Sequence, residues 1–324
     1  YSLLSQVHQY VGEALGLDGA NDQGGTGIAP TRPAAQTRVA VHYDTYSLFY
    51  AWIHCPDAFF DASNGNIELC RGMALPDVVG HEYGHALETH AMLAAGGQGY
   101  VYSGQTGSLC EAFSDLTGES FERWRNGSND WLNYFRDIGN PGSRVSPYTT
   151  HLLPFPTYWN DPNTYCGPDG PGPLHINSTI ISHAFYLFSE GGSLNGCTIV
   201  GQGIEKVVPL FYRGWRNYFT STVTFNEAYT YLLQACTDLY PASVHDELQK
   251  ALQAAELDQP GYCSGIPAVT PPCASTTDVA GGPRPEAPRL RLTIGQNPVH
   301  GATRLTLQLP SGGPVRVSVY DVRG

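Results

Sequence analysis

The stretch Asp77-Val78-Val79-Gly80-His81-Glu82-Tyr83-Gly84-His85 decides the reading of this chain. Residues four apart on a helix share one face, so the imidazoles of His81 and His85 can reach the same metal ion. Glu82 sits one step round the helix, beside the metal's open side. A carboxylate there can take a proton from a metal-bound water without itself binding the ion. The bland alternative is a surface helix that carries two histidines and a glutamate by chance, so the motif needs supporting context.

Glu111-Ala112-Phe113-Ser114-Asp115 supplies it. Catalytic zinc requires a third protein ligand and an open fourth position, and Glu111 can be that ligand from a second helix. Asp115, one turn later on the same face, can accept a hydrogen bond from the distal nitrogen of a ligand histidine. Taken alone, the two acids would also suit a helix N-terminus. Tyr102 and His175 offer a phenol and an imidazole that can donate to an oxyanion. A lone histidine is more often structural, so His175 carries weight only in this company.

Beyond these residues the chain resembles the thermolysin-like metallopeptidases, with fungalysin-type enzymes as relatives. The matching stretches are 77–82, Gly99-Tyr100-Val101-Tyr102, 107–115 and His175-Ile176-Asn177-Ser178. The resemblance covers the middle of the chain well, the first seventy residues loosely and the last sixty not at all. It implies zinc on His81, His85 and Glu111, with Glu82 as general base and then general acid. Tyr102 and His175 would stabilise the tetrahedral intermediate, Asp115 would orient His81, and Asp169 would partner His175. The implied fold is α+β and two-lobed: a β-rich N-terminal lobe, a helical C-terminal lobe, and zinc in the cleft between. A peptide or protein substrate would add as a strand to the upper lobe's edge. Val78 would line the pocket for an apolar side chain after the cleaved bond. Two departures stand out. Asp57-Ala58 replaces the family's Asn-Ala backbone anchor, and an ionised Asp cannot donate as an amide does. The family's arginine has no counterpart between Thr157 and Asp169.

The chain has 324 residues and a net charge of −12. That argues against a nucleic-acid partner, and no run is long and apolar enough for a membrane helix. Eight cysteines without a C-x-x-C pair make a structural zinc ribbon improbable and suggest disulfides in a secreted protein. Cys55 with Cys70 and Cys263 with Cys273 are the sequence-near pairings, and buried free thiols are the alternative. Tyr1 already opens a helical pattern, so a leader and propeptide upstream are expected. A monomer is expected.

Helical patterns run over 3–15, 77–93, 106–125, 175–189, 203–219, 224–240 and 243–257. Thr106 or Ser108 is read as a cap of the second motif helix, and Thr224 with Glu227 as a capping box. Residues 38–43 alternate as a strand, and Asn64-Gly65 marks a hairpin within 58–70. The organisation is therefore a partial upper lobe at 1–80, a helical lower lobe at 81–260 and a Pro/Thr/Ser-rich linker at 261–288. A short β-type segment follows at 289–324, resembling a truncated secretion-sorting sandwich. Residues 140–172, rich in Pro, Gly and Tyr, read as a cleft wall or as a passive surface loop.

Asp77, Glu122 and Asp130 match calcium positions of the family, and oxygen-rich clusters suit calcium. Leu132 and Phe135 stand where further ligands belong, so one site at most is expected. Asn126-Gly127-Ser128 and Asn177-Ser178-Thr179 match glycosylation sequons, which are frequent by chance. The leading reading is a zinc endopeptidase. Its rivals are a catalytically retired peptidase fold acting as an extracellular binding or adhesion module, supported by Asp57 and the missing arginine, and an exopeptidase, which needs a group that captures a peptide terminus.

Overall fold

The computed structural model describes residues 2–27, 37–43, 57–96, 99–133, 136–146, 153–167, 171–266, 268, 273, 291–294 and 305–308. The chain divides into two compact units, Tyr1–Ala274 and Ser275–Gly324. The first holds helices α1 (Ser2–Leu15), α2 (Pro76–Ala94), α3 (Gly104–Asn126), α4 (Pro171–Glu190), α5 (Val207–Asn217), α6 (Phe225–Leu239) and α7 (Ala242–Ala254). It also holds strands β1 (Arg38–Tyr43), β2 (Ala58–Asp61), β3 (Asn66–Cys70), β4 (Gly192–Leu194) and β5 (Cys197–Ile199).

The β1-β3-β2 sheet leaves β2 at its edge among the described strands. β2 and β3 form the expected antiparallel hairpin, with Asp61 opposite Asn66, and β1 joins β3 in parallel. Gly65 takes φ 75° in the connection, and a Cβ there would stand 2.3 Å from the Thr26 carbonyl oxygen. Only glycine combines that backbone with that approach.

Small residues set the crossing of α2 and α3. A Cβ on Gly84 would lie 2.7 Å from Ser114 Cα, and one on Gly80 would lie 2.8 Å from Gly118 Cα. As the numbers rise along α2 they fall along α3, so the two helices run antiparallel. Gly80 and Gly84 lie one turn apart, and so do Ser114 and Gly118. Their missing or short side chains let two backbones touch, which brings His81 and His85 against Glu111 and Asp115.

Behind this pair lies an aromatic core. Phe185 stacks on Phe211 with centroids 5.0 Å apart, Phe113 meets Phe211 edge-on at 5.4 Å, and Trp215 packs between Phe219 and Tyr100. The high apolar content of α4 is explained by burial on most sides: Ile180, Ile181, Ala184, Phe185 and Phe188 are all inaccessible. Among the described residues no helix is long and apolar enough to cross a membrane.

Several expectations need correction. The second motif helix begins at Gly104 with Ser103 as its N-cap, not at Thr106 or Ser108. Thr106 instead donates to the Val223 carbonyl, and Ser108 to that of Gly104. Cys263 does not pair with Cys273: the bonds are Cys166–Cys263 and Cys197–Cys273. Each ties a distant segment to the helical part, so nearness in sequence was the wrong guide. Cys70 is disulfide-bonded, but its expected partner Cys55 lies outside the described residues. Cys110 and Cys236 are free and buried. The Thr224–Glu227 capping box is present.

The proposed division at residue 80 falls inside α2, so it marks a change of character rather than a break. The second unit contributes one antiparallel pair, β6 (Arg291–Ile294) and β7 (Leu305–Gln308). The rest of the sandwich-like segment lies outside the described residues.

Candidate metal centre

Three donors meet where α2 crosses α3. His81 Nε2 lies 3.6 Å from Glu111 Oε2, and His85 Nε2 lies 3.4 Å from Glu111 Oε1. Ligand atoms of the three residues all fall within 4.8 Å of one another. Zinc holds nitrogen and oxygen at about 2.0–2.2 Å, so donors at the corners of a tetrahedron stand about 3.3–3.5 Å apart. The observed spacings fit such an ion.

Both imidazoles are turned by carboxylates behind them. His81 Nδ1 lies 2.9 Å from Asp115 Oδ1, and His85 Nδ1 lies 2.8 Å from Glu88 Oε1. With Nδ1 carrying the proton, each ring presents the lone pair of Nε2 toward Glu111. Burial pushes the Glu111 carboxyl up, but the nearby His175, His85 and His81 outweigh it and hold it well below the usual carboxylate range.

Glu82 is nine-tenths buried, and its Oε2 has no hydrogen-bond partner. An orphaned carboxylate oxygen is costly unless a polar group completes it. Here it borders the same cavity as the three donors. Burial raises its affinity for a proton, while His81 and His85 oppose that shift.

Tyr102 and His175 approach from the other side. Tyr102 donates its hydroxyl to Glu111 Oε1, and His175 Nε2 lies 3.4 Å from that same oxygen. Tyr102 remains 46% exposed, so its phenol stands at the cavity wall rather than in the core. Asp169, the expected partner of His175, lies outside the described residues.

A cavity of about 580 Å³ runs past these groups and along Ala58, Phe59 and Phe60 of the edge strand β2. A smaller one, of about 70 Å³, opens beyond His81 and Glu82. It is lined by Val78 and Met73 and by the polar Asp77, Asn133 and Arg136. Asp57 borders both cavities, and burial pushes its carboxyl up.

Sequence reasoning missed four residues here. Arg136 is buried and grips Asp115 with two nitrogens, Nε at 2.9 Å and Nη2 at 2.6 Å; Nη2 also lies 3.5 Å from Glu111 Oε2. Arg136 comes from an irregular stretch, where no periodicity announces it. Its charge, with His81, overcomes burial and lowers the Asp115 carboxyl. Asn133 donates to Asp115 Oδ1, the oxygen that also meets His81 Nδ1. Glu88 follows His85 by three residues, a helical spacing that the motif reading stopped short of. Glu119 joins Glu122 and Asp130 in a second acidic group, with oxygens all within 4.8 Å. Asp77 is not part of that trio, although its charge helps to raise the Glu119 and Glu122 carboxyls, in which burial is the larger cause. One Glu119 oxygen accepts from Trp131 N and Asn129 Nδ2; the other is buried without a partner.

Residues 98–257 match the family described as "Thermolysin metallopeptidase, alpha-helical domain". The chain is 34% identical over 171 residues to Bacillolysin of Bacillus cereus, which covers 52% of this chain and 29% of that protein. It is 34% identical over 182 residues to Thermolysin of Alicyclobacillus acidocaldarius subsp. acidocaldarius, covering 55% of this chain and 32% of that one. The chain therefore spans about a third of the length of these curated relatives. In fold it is similar to the precursor of protealysin, a metalloproteinase from Serratia proteamaculans, with a TM-score of 0.59 at 18% identity over 79% of this chain and 77% of that chain. The matched helical domain contains Glu111, and the histidine pair packed against it comes from the neighbouring helix: over residues 98–257 the chain matches the helical domain of the thermolysin-type metallopeptidases.

Proposed function

We propose that the chain is a secreted zinc endopeptidase, with the ion held by His81, His85 and Glu111 in a cleft between a β-rich wall (1–80) and a helical wall (81–260). The observation that carries this reading is the convergence of those three donors beside the unpartnered buried oxygen of Glu82. Bound zinc would polarise the scissile carbonyl and acidify the attacking water.

The chain's own residues supply the rest. Glu82 accepts the proton of the attacking water and returns it to the leaving amine. Its buried position suits a group that must hold a proton briefly near neutral pH. Tyr102 and His175 donate to the carbonyl oxygen as it gains charge. β2, an edge strand among the described residues, offers main-chain hydrogen bonds to an extended peptide. Val78 and Met73 favour an apolar side chain after the cleaved bond, within the small cavity that Arg136 and Asn133 close. Asp57 accepts from a substrate N–H where the family's asparagine would both accept and donate.

Two disulfides support an oxidising, extracellular setting. The Glu119, Glu122 and Asp130 group, with Asp77 nearby, is proposed to take calcium, as its oxygen donors suit a hard cation. The substrate is an unfolded protein or peptide, and the working species is a monomer. A retired binding module has no physical need of Glu82, Tyr102 and His175 around one ligand set, so it is the weaker reading.

The test is digestion of casein with and without a chelator, beside the Glu82→Gln variant. Wild-type activity should vanish with chelator and return with zinc. The variant should bind zinc and lose about 10²–10⁴-fold in kcat, the usual worth of a positioned base. Undiminished hydrolysis by the variant would remove Glu82 from the mechanism.

A further inference from the structure

The second ligand histidine rests on a carboxylate that the family resemblance does not supply. Glu88 lies on α2, three residues after His85, and is completely buried. Its Oε1 lies 2.8 Å from His85 Nδ1 and accepts a second hydrogen bond, also 2.8 Å, from the Tyr100 hydroxyl. The Tyr100 ring packs on Trp215, with centroids 5.7 Å apart, and its hydroxyl lies 3.4 Å from Thr89 Oγ1. Both hydrogen bonds fall on Oε1, while Oε2 is buried without a hydrogen-bond partner.

We propose that Glu88 is a positioning residue of the metal site, acting through His85 as Asp115 acts through His81. This rests on the zinc reading above. An imidazole can offer Nε2 to a metal only while Nδ1 keeps the proton, and a carboxylate accepting that N–H fixes the tautomer, aims the ring and strengthens the donor. The i,i+3 spacing places Glu88 next to His85 on the same helix, with no need for a second segment.

The two carboxylates are not equivalent. Asp115 is neutralised by the two-nitrogen grip of Arg136. Among the described residues no ion pair joins Glu88 to a Lys or Arg, and its carboxyl faces the His85 ring, the Tyr100 hydroxyl, the buried Cys110 thiol and the like charge of Glu111. Burial pushes the Glu88 carboxyl up, and the hydrogen bond and charge of His85 oppose that shift.

The experiment uses the full chain with Glu88→Gln, which keeps an acceptor oxygen but removes the charge. Zinc affinity is measured by competition with a chelator, and melting is followed on the metal-free protein. The account expects about 10–100-fold weaker zinc binding with little change in metal-free melting. It also expects the acidic limb of the kcat/KM profile to move to lower pH, because a negative charge near the site has gone. Saturating zinc should restore most of kcat, unlike Glu82→Gln.

Zinc affinity within twofold of wild type, and an unmoved pH profile, would overturn the proposal. If Glu88→Gln fails to fold, Tyr100→Phe removes one donor from Glu88 and should release zinc severalfold faster; an unchanged release rate would overturn it equally. Wild type that binds zinc without hydrolysing casein would refute the proposed activity but leave Glu88's effect on zinc affinity measurable.

Discussion

Replacing Gly84 by alanine tests how the proposed metal ligands are brought together. The added Cβ would sit 2.7 Å from Ser114 Cα and 3.0 Å from Ser114 Oγ. Carbon atoms in contact prefer about 3.5–4.0 Å, so α2 and α3 must part locally by about 1 Å. Overpacking of this kind costs about 1–3 kcal/mol, and alanine's better helix propensity returns about 1 kcal/mol. The net loss is then about 0–2 kcal/mol, a fall in Tm of up to roughly 8 °C at about 2–4 °C per kcal/mol.

The larger effect falls on the ligands. Glu111 lies on α3 and both histidines on α2, so a shift of about 1 Å stretches spacings that now fit a tetrahedral ion. Zinc affinity should drop tenfold or more, read by chelator competition alongside thermal melting. Gly12→Ala is the control: it is helical, its Cβ would meet Leu17 O at an ordinary 3.5 Å, and it should stabilise by about 0.5–1 kcal/mol. If Gly84→Ala melts like wild type and binds zinc equally well, the close approach of the two helices is not what assembles the site.

Other outcomes follow from the same geometry. Tyr102→Phe and His175→Gln should each lower kcat by about 10²–10³-fold with little change in zinc content, as expected for lost oxyanion donors; steady-state kinetics on a quenched-fluorescence peptide checks this. Burial lowers the proton affinity of His183, whose Nδ1 donates to the Ile138 carbonyl. Its folded value lies below the ordinary 6.5, so the unfolded chain takes the proton first and stability falls as pH drops below about 6.5. His183→Asn should flatten that part of a Tm-versus-pH curve. Cys166→Ser with Cys263→Ser opens a loop of 97 residues and should cost roughly 4–5 kcal/mol by chain entropy, seen as a lower midpoint in urea.

The grouping of His81, His85 and Glu111 was legible because its parts are local. His81, Glu82 and His85 share one helical turn, and Glu111 with Asp115 shares another, so periodicity alone gives each half-site. Joining the halves needed the helix crossing, which Gly80, Gly84 and Gly118 encode only to a reader who already knows which helices meet. Glu88 was within reach of the same periodicity, three residues past His85, but nothing in the motif asks for it. Glu119 likewise precedes Glu122 by three on α3. Arg136 was not legible: it lies in irregular chain, and its partner Asp115 is 21 residues away. The disulfides failed for the same reason. Bonds that span 97 and 76 residues depend on tertiary path, whereas the reading used nearness. The helix start at Gly104 was missed because the true N-cap, Ser103, is followed by a glycine with φ 54° rather than by a capping pattern.

The central claim is that α2 and α3 hold one zinc ion between His81, His85 and Glu111. Crystals grown with zinc, measured just above and below the zinc absorption edge, test it directly. The account predicts a single strong anomalous peak about 2.0–2.2 Å from His81 Nε2, His85 Nε2 and a Glu111 oxygen, lost in Glu111→Ala. A peak elsewhere, or none at full zinc occupancy in solution, would contradict it.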